Sequence, residues 1–177
     1  MNTSITNINH NAHPSITLQT RKGVGSEISN NQIDEPLNLW DLHSAEEIKR
    51  QYNFAVYRTA PCGYYNCHGM TFASRRTRIF DRDDLARIIE EDNYHKISED
   101  TVLEGDVVIY YRNGDPQHSG IVVGVPKIND SITPIHIVSK WGHGHEVVHT
   151  LRDCPYNQNC DMILFYRIRS VHHGDKL

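Results

Sequence analysis

The chain has 177 residues, of which 23% are charged and 38% hydrophobic, and its net charge is -4 with neutral histidines. That length suits one domain with a proper core, and the polar bias fits a soluble globular protein. The mild negative charge gives no general pull toward nucleic acid, and no apolar run is long enough to span a membrane.

Residues 1–20 lack the charged start and apolar middle of a secretion signal. The expectation is a monomer that is cytoplasmic, or exported without a classical signal peptide. Cys62, Cys67, Cys154 and Cys160 are then reduced thiols rather than two disulfides.

Residues 1–35 are rich in Asn, Ser, Thr and Ile without a helical or strand period, and read as a polar arm, mobile or wrapped around the domain. The domain proper is expected over 36–177. A first helix is predicted from Ala45 to about Tyr52, behind a Ser44–Glu47 capping box. A loop through Pro61, Cys62 and Gly63 leads to a second helix, opened by Asn66 as N-cap with Cys67 in its first turn, and ending near Arg78. A third helix fits Asp83–Glu91. Strands are predicted over Asp106–Arg112, His118–Val125, Pro134–Lys140, Glu146–Leu151 and Met162–Arg169, with a turn at Asn113–Pro116. Helices first and about five antiparallel strands second give an α+β fold with the helices on one face of the sheet.

Cys67 is the residue on which chemistry can be built. In a helical first turn the free backbone N–H groups favour thiolate over thiol and lie close to a developing oxyanion. His118, at the start of the returning strand, can act as its base. The imidazole needs an orienting group, for which His136 on the next strand is the candidate, ahead of Ser139 and Lys140.

Three blocks carry a family likeness: Asn66-Cys67-His68-Gly69, Leu103 through Tyr110 (Leu-Glu-Gly-Asp-Val-Val-Ile-Tyr), and His118 through Gly124 (His-Ser-Gly-Ile-Val-Val-Gly). Together they resemble the NlpC/P60 branch of the papain-like cysteine peptidases over about residues 57–140. The resemblance implies a papain-like domain and a thiol hydrolase of peptidase or amidase type that needs no cofactor. It implies Cys67 as nucleophile, His118 as base and His136 as third polar residue, with Tyr57 and the Cys67 N–H stabilising the oxyanion. The substrate would be a peptide or protein amide, a cell-wall peptide among the options, with His68 and Trp141 as substrate contacts. Asn66 stands where the family has aspartate, and His68 where it has serine. Ser139-Lys140-Trp141-Gly142, with the later His149, is similar to a subgroup carrying a Ser-Lys-Trp-Gly block.

Other readings compete. His145-Glu146-Val147-Val148-His149 is a literal His-Glu-x-x-His, the zinc metalloprotease signature. It works only on a helix, and the glycines before it and the valines within it argue for a strand. His143 and His145 then read as exposed loop residues near the cleft. The four cysteines could form a zinc site, with looser spacing than such sites use. Arg75, Arg76 and Arg78 read as helix-dipole compensation before an anion site, and Trp141 reads as a packing residue that can also line a groove. The same fold with a dead site would be a binding module.

Overall fold

The structure, a computed structural model, describes residues 13–126 and 134–168. Its helices are α1 (Leu39–Gln51), α2 (Cys67–Phe72) and α3 (Arg82–Glu91). Its strands are β1 (Val56–Tyr57), β2 (Tyr94–Ile97), β3 (Val107–Arg112), β4 (Asp115–Gly124), β5 (His136–Lys140), β6 (Glu146–Thr150) and β7 (Met162–Ile168). Among the described residues the seven strands form one antiparallel sheet in the order β1-β6-β5-β4-β3-β7-β2.

The fold is therefore α+β, with seven strands where the sequence suggested about five. The two additions, β1 and β2, are the outer strands of the sheet. They are short and only partly buried, so neither shows the apolar alternation by which a strand is read. The central hairpin forms as expected. Asn113 and Gly114 take positive φ (53° and 76°), the backbone that a two-residue hairpin turn demands, so β4 already begins at Asp115.

Two helix bounds change. Asn38, whose side chain accepts from the Asp41 N–H, caps α1, so the chain turns helical six residues early and Ser44 and Glu47 lie inside the helix. α2 stops at Phe72 instead of near Arg78, because Ser74 and Arg75 adopt left-handed backbone (φ 50° and 65°) and turn the chain back.

Side chains alternate across the sheet, and both faces are buried. On one face Tyr65 and Met70 pack on Ile121, Val138 and Val148, while Leu85 and Ile88 of α3 join Ala73 and Ile79. On the other, Val108, Tyr110, Val122, Ile137 and Phe165 meet Leu151 and Cys154, beside the 3-10 turn Pro155–Asn159. The described part of the N-terminal arm wraps the domain. Ile28 is buried with α3, and Asn31 bridges Arg78; residues 1–12 lie outside the described residues.

One polar side chain fixes where α2 sits. Asn66 Oδ1 accepts from the Gly69 N–H at 2.8 Å and from the Ile79 N–H at 3.1 Å, while its Nδ2 donates to the Ile79 carbonyl at 2.6 Å. An aspartate could cap the helix but has no donor for that carbonyl. Replacing Asn66 with aspartate removes a buried bond and turns two oxygens toward each other. Asn66→Asp is expected to cost about 1–3 kcal/mol, read as a lower urea midpoint at unchanged slope; an unchanged midpoint would contradict this account.

Candidate active site

Cys67 opens α2 and is buried, and its sulfur lies within reach of the backbone N–H groups of Ser119, His68 and Cys67 itself. It borders a cleft of about 250 Å³ shared with Arg78, Phe80, Gln117, His143 and Tyr156. Burial pushes the thiol up to about 11. The N–H groups and the nearby Lys140 charge pull the other way without overcoming it. The resting sulfur is thus a thiol at neutral pH, not the thiolate expected from a helical first turn. Six residues of helix with a solvent-free sulfur supply less stabilisation than desolvation removes.

Strand alternation divides the neighbouring residues between the two faces. Ser119 points toward α2. Its hydroxyl meets His68 Nδ1 at 2.9 Å and donates to Thr71 Oγ1 at 3.0 Å, and the Thr71 hydroxyl donates to the Cys67 carbonyl at 2.9 Å. His118 points to the opposite face. It is fully buried and stacked on Tyr156, with ring centroids 4.0 Å apart and planes 3° from parallel. Neither His118 ring nitrogen has a hydrogen-bond partner, so none joins it to Cys67 at rest. Burial, and then the neighbouring His149 and His68, hold it well below the usual imidazole range.

His136 is not brought to His118. It pairs with Gly124, six residues along β4, or roughly 20 Å at about 3.3 Å per residue. Its assignment as orienter is corrected: the groups beside His118 are Tyr156, His149 and Cys154. Tyr57 is corrected as well. Its hydroxyl donates to the Tyr52 carbonyl at 3.1 Å and its ring packs edge-on to Trp141 and His145, engaged away from the cleft. Trp141 is a packing residue as first read, not a substrate contact. It is buried among Tyr52, Tyr57 and His149, and its indole N–H donates to Ser139 Oγ at 3.1 Å. His68 lines the cleft, but it is buried and tied to Ser119, and burial lowers it to about 4.

The His-Glu-x-x-His segment does not form a zinc protease site. Glu146–Thr150 is strand, so Glu146 and His149 point to opposite faces. Glu146 receives Arg75 and the Tyr65 hydroxyl (2.7 Å), whereas His149 meets Ser139 at 2.8 Å. Burial works against the Glu146 charge, but the Arg75 and Tyr65 bonds outweigh it and hold the carboxyl below its ordinary value. His145 is buried against the Thr59 carbonyl instead of exposed, while His143 lines the cleft. The cysteines do not converge either: Cys62 packs beside Tyr65 and Met70, while Cys154 and Cys160 belong to the core of the other face.

Sequence reasoning missed Tyr156, which no periodicity marks, and weighed Lys140 only as a lesser orienter of His118, without its burial. That cation donates to the carbonyls of Cys62 (3.0 Å) and Gly144 and so ties together two loops beside the cleft. The arginines separate: Arg75 pairs with Glu146, Arg76 donates to the Ala73 carbonyl, and Arg78 lies in the cleft over the Phe80 ring at 4.4 Å. Arg76 therefore keeps the expected dipole role at the C-cap of α2, while Arg75 and Arg78 are engaged elsewhere.

No family model, curated protein or solved structure matches the chain. Among the described residues, no helix is long and apolar enough to cross a membrane.

The buried thiol has a measurable consequence. Only thiolate alkylates, so Cys67 labelling by iodoacetamide should be slow at pH 7 and rise about tenfold per pH unit up to pH 10. A rate that levels off below pH 8 would contradict the raised thiol.

Proposed function

We propose that the protein is a thiol hydrolase of peptidase or amidase type, with Cys67 as nucleophile and His118 as base, on a papain-like domain of the NlpC/P60 kind. The observation that carries this reading is an adjacency. The Ser119 N–H lies near enough to the Cys67 sulfur to favour its thiolate, and the residue before it is a buried imidazole with both nitrogens uncommitted. A structural histidine is normally held by hydrogen bonds; leaving both nitrogens unsatisfied costs stability that a catalytic base can justify.

In this reading the resting pair is neutral. As Cys67 attacks the substrate carbonyl, its proton passes to His118, which returns it to the departing amine. Water then attacks the thioester, His118 takes the water proton, and the acid leaves as the thiol is restored. The backbone N–H groups near the sulfur would support the oxyanion, in place of Tyr57. Face-on stacking against Tyr156 orients the ring, in place of a third polar residue.

Arg78 bears on the substrate. It lies in the same cleft as Cys67, with a buried Nε that has no partner. A peptide carrying a carboxylate near the scissile amide would satisfy it. Cell-wall peptides and acidic protein segments both meet that description.

The test is incubation of wild type and Cys67→Ala with muropeptides and, separately, with a cell lysate, followed by mass spectrometry. Cleavage or deamidation is expected from the wild type alone. His118→Ala should lose about 10²–10⁴-fold in rate, and His136→Ala less than threefold. Turnover that survives Cys67→Ala would end this reading. Silence in both mixtures would favour a binding module, which the missing Cys67–His118 hydrogen bond and the protonated thiol also fit.

A further inference from the structure

On the face of the sheet away from α2, three buried side chains converge that the proposed chemistry does not use as a set. His118, His149 and Cys154 each offer a ligand atom, and these atoms all lie within 4.8 Å of one another. They come from three separate elements: β4, β6 and the bend before the 3-10 turn Pro155–Asn159. The sequence brings none of them together, since their spacing matches no zinc motif.

We propose that His118, His149 and Cys154 form a binding site for one zinc-class divalent cation.

Three observations support it. Both His118 nitrogens are buried and lack any partner, so a lone pair there is free for a ligand bond. Tyr156 covers the ring face-on, and an imidazole lone pair lies in the ring plane, so the stack leaves the coordinating direction open. His149 is already arranged as metal-bound histidines are. Its Nδ1 donates to the Thr150 carbonyl at 2.8 Å, leaving Nε2 with the lone pair. That lone pair now receives the Ser139 hydroxyl at 2.8 Å, which in turn accepts from the Trp141 indole.

One thiolate and two imidazoles suit zinc or cobalt, and a water would complete four-coordination. On binding, the Cys154 thiol loses its proton to solvent, Ser139 releases Nε2, and the three ligand atoms close to about 3.3–3.5 Å of one another, as zinc bond lengths require. A cation here would occupy the His118 lone pair and so silence the proposed base. That consequence rests on the hydrolase reading; the binding itself does not.

The test uses the reduced, metal-free full chain titrated with Co²⁺. One equivalent should bind and give a thiolate-to-cobalt charge-transfer band in the near ultraviolet. The band should vanish in Cys154→Ser and persist in Cys67→Ser. Because Cys154→Ser can fail to fold, the wild type loaded with Zn²⁺ is also measured by X-ray absorption. One sulfur at about 2.3 Å and two nitrogens at about 2.0–2.1 Å are expected. No stoichiometric binding, a zinc shell without sulfur, or a band that follows Cys67 instead of Cys154 would each overturn the site. If binding holds while turnover is absent, the hydrolase reading fails and the metal site stands; turnover indifferent to bound zinc would remove His118 as its base and leave the metal site standing.

Discussion

The Asn66 amide is the constraint on which the site depends. Three hydrogen bonds from one buried side chain cap α2 and clamp it to Ile79, the residue that leads the chain toward α3. Gly69 completes the clamp. A Cβ there would collide with the Thr77 carbonyl, so α2 can approach the returning chain only because that position has no side chain. Cys67 lies between these two residues, and its place beside the Ser119 N–H follows from them. An amide at position 66 suits the clamp in a way a carboxylate would not, since only an amide both caps the helix and donates to the Ile79 carbonyl.

The second constraint is strand parity. His118 and Ser119 are neighbours in sequence, yet they serve opposite faces of the sheet. Ser119 joins the α2 face through His68 and Thr71, and its N–H meets the sulfur. His118 joins the face of Tyr156, His149 and Cys154. One strand therefore supplies a contact to the α2 face and a buried imidazole to the other. The same parity disposes of the His-Glu-x-x-His motif, since a strand puts Glu146 with Arg75 and Tyr65 and turns His149 away from them. His118 thus has its neighbours on the face away from α2, where the candidate cation site lies.

Much of this was legible in the sequence. Asn66-Cys67 announced a capped helix, and the apolar runs around Asn113-Gly114 announced the hairpin; both formed, because capping and turn chemistry are local. The end of α2 was not legible, since the left-handed backbone at Ser74 and Arg75 is imposed by the return of the chain and not by glycine. His136 misled because strand adjacency was read without register: Gly120 pairs with Ser139, which carries His136 far along β5 from His118. Tyr57 misled for a related reason, as its strand lies at the sheet edge beyond β6. The protonation of Cys67 was misjudged because desolvation depends on what covers the sulfur, a tertiary property. Tyr156 and Cys154 reach His118 through the bend at 151–155, whose path no local pattern encodes.

The central claim is that Cys67 and His118 act as one chemical unit, and covalent acylation reads this most directly. The protein is mixed with an excess of a p-nitrophenyl ester at neutral pH, and intact mass and peptide mapping follow acyl transfer. The account predicts a single acyl group on Cys67, none in Cys67→Ala, and acylation slowed by about 10²-fold or more in His118→Ala. Acylation of Cys67 at the same rate with and without the His118 imidazole would contradict it.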